Sequence, residues 1–278
     1  MSLRTVQTIM QAQDAMDGAG VKIKRHSLVR HALADPFLLL DEIRSDDAED
    51  FIAGFPPHPH RGIETLTYMK VGGIRHEDHM GNTGQVLSGG AQWMKAGRGV
   101  IHGEMPLKEH DKMHGFQLWI NLNSQNKMSD PDYRDVPKEE IVHVQTDHYL
   151  AHVLAGKWTL ADATHQGPLN SLEAQAAYLD LELNAGGVFE HDIPDGHQVI
   201  VAVYDGSLEA DKPISQGQLA VFSQAGGLKL SSSEGAQALI LHGLPHREPI
   251  ANYGPFVMNT MEEIEQAIQD YQNGVLAG

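Results

Sequence analysis

Cysteine is absent from the 278-residue chain. Its absence excludes disulfide bonds, thiolate metal sites, iron–sulfur clusters and a cysteine nucleophile, so any bound metal must be held by nitrogen and oxygen ligands. Long apolar runs are also missing, and none approaches the roughly 20 residues that a membrane-spanning helix needs. The first residues, MSLRTVQTIMQAQDA, contain no apolar core followed by a small-residue cleavage site. We therefore expect a cytoplasmic protein without a membrane partner.

Basic side chains are few in this sequence. The chain has 20 lysines and arginines against 37 aspartates and glutamates, which gives a formal net charge of −17. A surface of this sign repels a phosphate backbone, so direct binding of nucleic acid is not expected. The same charge still permits contact with another protein.

Glycine pairs and turn dipeptides punctuate the sequence, and the segments between them are short and rich in β-branched and aromatic residues. Examples are ETLTYM at 64–69 and VIVAVY at 199–204. This pattern predicts an all-β protein with many short strands. A polar, proline-bearing stretch at 123–140 has the composition of an interdomain linker. We therefore predict two β-barrels, one over residues 1–130 and one over residues 131–278.

One helix is expected at the C-terminal end. Thr260 and Glu263 have the spacing of a capping box, and apolar residues recur at helical spacing after them. Gly274 is suited to the left-handed conformation that ends many helices. The pattern predicts a helix from Thr260 to Asn273 that packs against a barrel.

Two histidine motifs, HPHRGIE and GRGVIHGEMP, carry the strongest chemical signal. Residues two apart in a strand point to the same face, so His58 and His60 project together, and so do His102 and Glu104. Two adjacent strands of a barrel would bring these four side chains to one point. A lone His-x-His is more often ordinary strand alternation, but the second motif and the surrounding glycines favour a metal site.

The chemistry of the four side chains limits the choice of metal. Three imidazoles and one carboxylate, without a thiolate, suit Fe(II), Mn, Ni, Cu or Zn. Iron is the first choice, because the set adds one histidine to the two-histidine, one-carboxylate arrangement of non-haem iron enzymes. Such a site still leaves coordination positions for substrate and dioxygen.

Two further histidines lie near these motifs in the sequence. His76 and His79 in IRHEDHMG stand three residues apart, which places them on opposite faces of a strand. We expect both at the surface or in a hairpin, outside the metal site.

Several segments together resemble the pirin family of the cupin superfamily. In order they are DPFLLLDEI, HPHRGIETLTY, HEDHMGNTG, QWMKAGRGVIHGEMP, FQLWINLN and GPFVMNTMEEIEQAIQDYQNG. They run from about residue 36 to the C-terminus, so the resemblance covers nearly the whole chain. It implies two stacked cupin barrels, of which only the N-terminal one binds a metal, usually iron.

The resemblance also implies which residues bind that metal. The positions that match the family's ligands are His58, His60, His102 and Glu104. Typical cupins take a glutamate ligand from the first motif, near the position of Glu64, whereas pirins take it from the second motif. Glu64 is therefore not expected to be a ligand. The matching region of the second half has no His-x-His, so a second metal site is not expected.

Two functions follow from the resemblance. Pirin relatives are known for quercetin 2,3-dioxygenase activity, and the mammalian protein is known for assisting nuclear transcription factors. The first implies a metal-dependent dioxygenase of flavonol-type enolic phenols, with Glu104 as the base that accepts the substrate proton. The second implies a metal- or redox-dependent regulatory protein that acts through a protein partner.

Overall fold

Twenty-five β-strands and one α-helix make up the regular structure of residues 2–278, which the computed structural model describes. The first strands are β1 Val6–Gln11, β2 Gln13–Asp17, β3 Val21–Ser27, β4 Phe37–Ser45, β5 Phe55–His60, β6 Ile63–Val71, β7 Gly73–Asp78, β8 Thr83–Leu87, β9 Ala91–Lys95, β10 Val100–Pro106, β11 Met113–Asn121 and β12 Asp132–Val136. The remaining strands are β13 Val142–Gln145, β14 Tyr149–Ala155, β15 Lys157–Leu160, β16 Ala163–Gln166, β17 Ala177–Leu183, β18 Gly187–Asp192, β19 Gln198–Glu209, β20 Pro213–Ser215, β21 Gln218–Phe222, β22 Gly227–Ser232, β23 Ala236–Gly243, β24 Ala251–Tyr253 and β25 Phe256–Met258. The helix is α1 Met261–Gln272, so the predicted all-β fold with one short C-terminal helix is confirmed.

The chain forms two compact units. The histidine-motif unit consists of residues 13–30, 37–139 and 246–278, and the second unit consists of the rest of the described chain. This division differs from the predicted 1–130 and 131–278. Residues 2–12 belong to the second unit, and residues 246–278 belong to the histidine-motif unit. Strand β1 completes a sheet of the second unit by pairing with β21, and α1 packs within the histidine-motif unit.

Two large antiparallel sheets and the small β24–β25 hairpin build the histidine-motif unit. The larger has seven strands in the order β12-β9-β6-β11-β4-β3-β2, and the smaller has four in the order β5-β10-β7-β8. Apolar side chains from both sheets form one buried cluster, which includes Ile23, Met69, Ile74 and Val86. Alternation along each strand sends one set of side chains into this interior, as in a sandwich or a closed barrel.

The second unit is also built from antiparallel strands. A ten-stranded sheet contains the path β1-β21-β19-β23-β17-β14-β13, with β18, β20 and β22 attached to it. Strands β15 and β16 form a separate hairpin. The core is a single large apolar cluster in which Trp158, Phe189 and Phe222 are almost completely buried.

Helix α1 lies in the histidine-motif unit and begins with the predicted capping box. The Thr260 side chain accepts a hydrogen bond from the Glu263 backbone N–H, and the Glu263 carboxylate accepts one from the Thr260 N–H. Ile264 and Ala267 are buried against the β24–β25 hairpin. Within residues 2–278, no helix is both long and apolar enough to cross a membrane.

Replacing Thr260 by Ala tests the contribution of this cap. The change leaves the Glu263 N–H without its side-chain acceptor, so we expect the free energy of unfolding to fall by about 0.5–2 kcal/mol. Chemical denaturation measures the effect. Thr260→Ser keeps the hydroxyl and serves as the control, with stability close to the parent. Equal losses in the two variants would contradict a role for the hydroxyl.

Candidate metal centre

The two histidine motifs form neighbouring strands. Strand β5, with the sequence FPPHPH, is an edge strand of the four-stranded sheet and pairs antiparallel with β10. An edge position tolerates its three prolines, because a proline has no N–H to donate to a ladder. In this register His102 lies directly opposite His58, and Val100 lies opposite His60. The pairing thus brings together residues more than forty positions apart in the sequence.

Three of the four predicted ligands form a tight group. One ring nitrogen from each of His58, His60 and His102 lies within 4.8 Å of the corresponding nitrogens of the other two. The ring centroids are 4.4 Å apart for His58 and His102, 4.8 Å for His58 and His60, and 5.1 Å for His60 and His102. A small inward adjustment would let all three bind one ion at about 2.0–2.1 Å.

Hydrogen bonds at the outer nitrogens leave the inner nitrogens available. Nδ1 of His58 lies 2.9 Å from the Pro56 carbonyl oxygen, and Nδ1 of His60 lies 3.3 Å from that of Pro255. A carbonyl only accepts, so both Nδ1 atoms carry the proton and both Nε2 atoms keep a lone pair. Nε2 of His102 is buried and has no hydrogen-bond partner among residues 2–278. The three Nε2 atoms, each with a lone pair, therefore fit the binding of a metal ion.

Burial also keeps two of the imidazoles, those of His60 and His102, neutral. Desolvation, together with the nearby His58, lowers the pKa of His60 to about 3. Desolvation and the neighbouring histidines lower the pKa of His102 well below its usual range. A neutral imidazole is the form that binds a metal, so both rings are ready for coordination at pH 7.

Glu104 lies beside this group, but its carboxylate oxygens are not within 4.8 Å of all three histidine nitrogens. A register shift between β10 and β5 falls between His102 and Glu104, which changes the simple alternation assumed from the sequence. The Glu104 carboxylate is buried and its Oε1 accepts a hydrogen bond from the Thr67 hydroxyl at 3.3 Å. Burial raises the pKa of this carboxyl, and His58 opposes the shift.

His76 lies in the β7–β8 hairpin, one of the two expected places, but the other expectation, a surface position, is wrong. His76 is fully buried on β7, and its Nδ1 lies 3.4 Å from Nδ1 of His102. The three-residue spacing between His76 and His79 does not predict the burial of His76, because His79 lies exposed in the turn after β7. The informative spacing is that of His76 and Asp78. It has the same two-residue period as His102 and Glu104 and places both side chains on one face of the strand.

A cavity of about 680 Å³ adjoins the histidine group within the same unit. His58, His60 and Glu104 line it, and Phe116 and Trp119 contribute aromatic walls. The Trp119 ring packs edge-on against His60 at a centroid distance of 5.1 Å. The candidate centre therefore opens onto a space of the size that small organic ligands occupy, about 300–1,000 Å³.

The second unit contains a different set of potential ligands. His152, Asp180 and Glu182 bring donor atoms within 4.8 Å of one another. His152 contacts His143 at 2.7 Å and Glu182 at 3.4 Å, and Asp180 accepts a hydrogen bond from the Tyr204 hydroxyl. These side chains are engaged with one another, as in a polar network across neighbouring strands.

The barrel sheets and the histidine group at a cavity define a cupin-type protein, and comparison with protein families identifies it further. Residues 19–120 match the family Pirin, and residues 178–277 match the Pirin C-terminal cupin domain. The chain belongs to the pirin family, which confirms the predicted resemblance and the two cupin domains.

Known relatives cover almost the full length of the chain. A Pseudomonas aeruginosa protein named "Putative quercetin 2,3-dioxygenase" is 45% identical over 99% of this chain and 98% of its own length. Human pirin is 36% identical over 98% of this chain and 93% of its own length. The crystal structure of quercetin 2,3-dioxygenase from Acinetobacter baumannii has a TM-score of 0.90 and 30% identity, and the match covers 100% of this chain and 99% of that one.

Replacing His60 by Ala tests the proposed ligand group. The change removes one of three converging imidazoles, so we expect the purified protein to lose most of its bound transition metal. Elemental analysis of matched preparations gives the metal content per chain. His148→Ala, at an exposed position of the second unit, is the control and retains the parental content. Full metal retention by His60→Ala would exclude His60 as a ligand.

Proposed function

We propose that this protein is a metal-dependent dioxygenase of flavonol-type enolic phenols. The observation that carries the proposal is the group of three converging imidazoles, two of them buried and neutral, beside a cavity with aromatic walls. Two relatives named for quercetin 2,3-dioxygenase support the choice of substrate class. The function requires a bound metal, a site for a planar phenol and a base.

His58, His60 and His102 hold the metal, and Glu104 is the fourth ligand. Fe(II) is the preferred ion, and the nitrogen and oxygen donors also accept Mn, Ni, Cu or Zn. A bound divalent metal lowers the pKa of a hydroxyl that coordinates to it. Three protein imidazoles already oriented by their outer nitrogens reduce the reorganisation needed when the ion binds.

The cavity suits a flat aromatic substrate. Phe116 and Trp119 give it ring surfaces, and Leu38, Met69 and Val257 add apolar wall. Aromatic rings stack or meet edge to face at centroid distances of about 4.5–7 Å, which favours a phenolic substrate over an aliphatic one. The substrate's enolic hydroxyl points towards the histidines and Glu104, which line the same cavity.

Glu104 accepts the proton of that hydroxyl. Its carboxylate lines the cavity with His58 and His60 and is held by Thr67. The Thr67 hydroxyl also contacts Oε1 of Gln117, which lies directly opposite Thr67 on β11. These contacts keep the carboxylate aimed at the cavity. Removal of the proton leaves an electron-rich enolate, and dioxygen, the oxidant, reacts with it in the cleavage of the ring.

Oxygen uptake with quercetin tests the proposal directly. We expect consumption of dioxygen and loss of the flavonol absorbance when the protein is loaded with Fe(II), and neither change in the metal-free protein. A panel of phenols lacking the enolic hydroxyl is the control and should remain unchanged. If the metal-loaded protein consumes no dioxygen but captures a protein partner only when metal is bound, the regulatory alternative replaces the enzyme.

Replacing Glu104 by Gln separates proton transfer from metal binding. The change keeps the side-chain size and one oxygen donor but removes the negative charge that accepts a proton. We expect much of the metal to remain, because three histidines are intact, while the turnover of flavonol falls by about 10²–10⁴-fold.

Metal content and oxygen uptake are measured on the same preparations of Glu104→Gln. The control is Glu109→Gln, which removes an exposed carboxylate just beyond β10 and retains parental turnover. Parental turnover in metal-loaded Glu104→Gln would show that Glu104 is at most a structural ligand.

A further inference from the structure

A buried histidine and a buried aspartate lie behind the metal ligand His102 and have no part in the chemistry proposed above. The side chains of His76 and Asp78, both on β7, are completely buried. Strand β7 pairs with β10 on the side opposite to β5, with Asp78 across from His102 and His76 across from Glu104. The register therefore places all four side chains on one face of the sheet.

The Asp78 carboxylate is fixed by the turn that follows β7. Its Oδ1 accepts hydrogen bonds from the backbone N–H of Met80 at 2.9 Å and of Asn82 at 3.0 Å. Its Oδ2 accepts one from the Asn82 side-chain amide at 2.7 Å and lies 3.5 Å from Nε2 of His76. Oδ2 is thus an acceptor with a defined position, and it faces His76.

This acceptor determines the position of each proton along the chain of contacts. Because Oδ2 of Asp78 accepts, Nε2 of His76 carries the proton and donates. In a neutral imidazole the second ring nitrogen then has a lone pair, so Nδ1 of His76 accepts and Nδ1 of His102, 3.4 Å away, donates to it. Nε2 of His102 is left with its lone pair, and this is the buried atom without a hydrogen-bond partner among residues 2–278.

His102 is the ligand whose tautomer needs this arrangement. Backbone carbonyls fix the protons of His58 and His60, whereas Nδ1 of His102 faces another imidazole, which either donates or accepts. We infer that His76, held by Asp78, is a positioning residue that keeps His102 in the tautomer able to bind metal. The inference rests on the proposed metal centre.

The test compares four variants of the full-length protein. His76→Leu removes the acceptor for His102. His76→Gln restores it, because a glutamine oxygen accepts from His102 while its amide donates to Asp78. Asp78→Asn reverses the direction of donation to His76: the backbone donors hold the new amide oxygen at the Oδ1 position, so its NH₂ group faces His76. The Asn82 side-chain amide, which donates to Oδ2 in the parent, then turns its oxygen towards this NH₂ group. His114→Leu is the matched control, because it removes a 2.9 Å contact with Glu42 elsewhere in the same unit.

Two measurements are made on each variant. The first is affinity for Ni²⁺, an oxygen-stable probe, by competition with a chromophoric chelator. We expect affinity to fall about 10–100-fold in His76→Leu and Asp78→Asn, and to remain near the parental value in His76→Gln and His114→Leu. The second is ¹⁵N NMR of the metal-free protein, which reports the imidazole tautomers. We expect the proton of His102 on Nδ1 in the parent and on Nε2 in Asp78→Asn.

The outcomes separate this inference from the proposed function. Failure of the parent to bind Ni²⁺ would overturn the metal centre itself and this inference with it. Binding by the parent together with unchanged affinity in both His76→Leu and Asp78→Asn would overturn the positioning role alone. An unchanged His102 tautomer in Asp78→Asn would do the same, and this measurement needs neither metal nor turnover. Equal losses in His76→Gln and His76→Leu would show that packing matters there and that the hydrogen bonds do not.

Discussion

The antiparallel pairing of β5 with β10 is the interaction on which the candidate site depends. It sets His102 opposite His58 and places His60 one strand period further along β5. A shift of the register by one residue would put the histidines of β5 and the histidine of β10 on opposite faces of the sheet. Strand β5 offers few N–H donors because three of its six residues are proline, so its edge position and its match to β10 are specified together.

Burial gives these histidines their chemical character and also imposes a cost. Desolvation lowers the pKa values of His60 and His102, which keeps their lone pairs available but removes the stabilisation that water gives to polar nitrogens. Carbonyl acceptors offset part of this cost for His58 and His60. Among residues 2–278, one buried nitrogen of His102 has no hydrogen-bond partner, which fits a role in metal binding.

The sequence predicts those features that depend on local period and local capping. Two-residue alternation predicted that His58, His60 and His102 lie together, and the capping box at Thr260 located the helix. The burial of His76 was missed, because it depends on which strand lies beside β7, and a single strand's pattern does not contain that information. The register shift beside Glu104 is likewise a property of a strand pair.

Local sequence patterns also could not predict which unit each end of the chain joins, yet this assignment matters for the site. The C-terminal segment, residues 246–278, supplies the Pro255 carbonyl that contacts Nδ1 of His60. Lys127 is almost fully buried and donates from Nζ to the carbonyl oxygens of Gly62 at 3.0 Å and Val257 at 2.8 Å, which joins that segment to the loop after β5. Arg61, next to His60, pairs with Asp270 of α1 at 2.7 Å. The orientation of the His60 ring is therefore set by backbone 195 positions later, and the histidine-motif unit is complete only with the C-terminal segment in place.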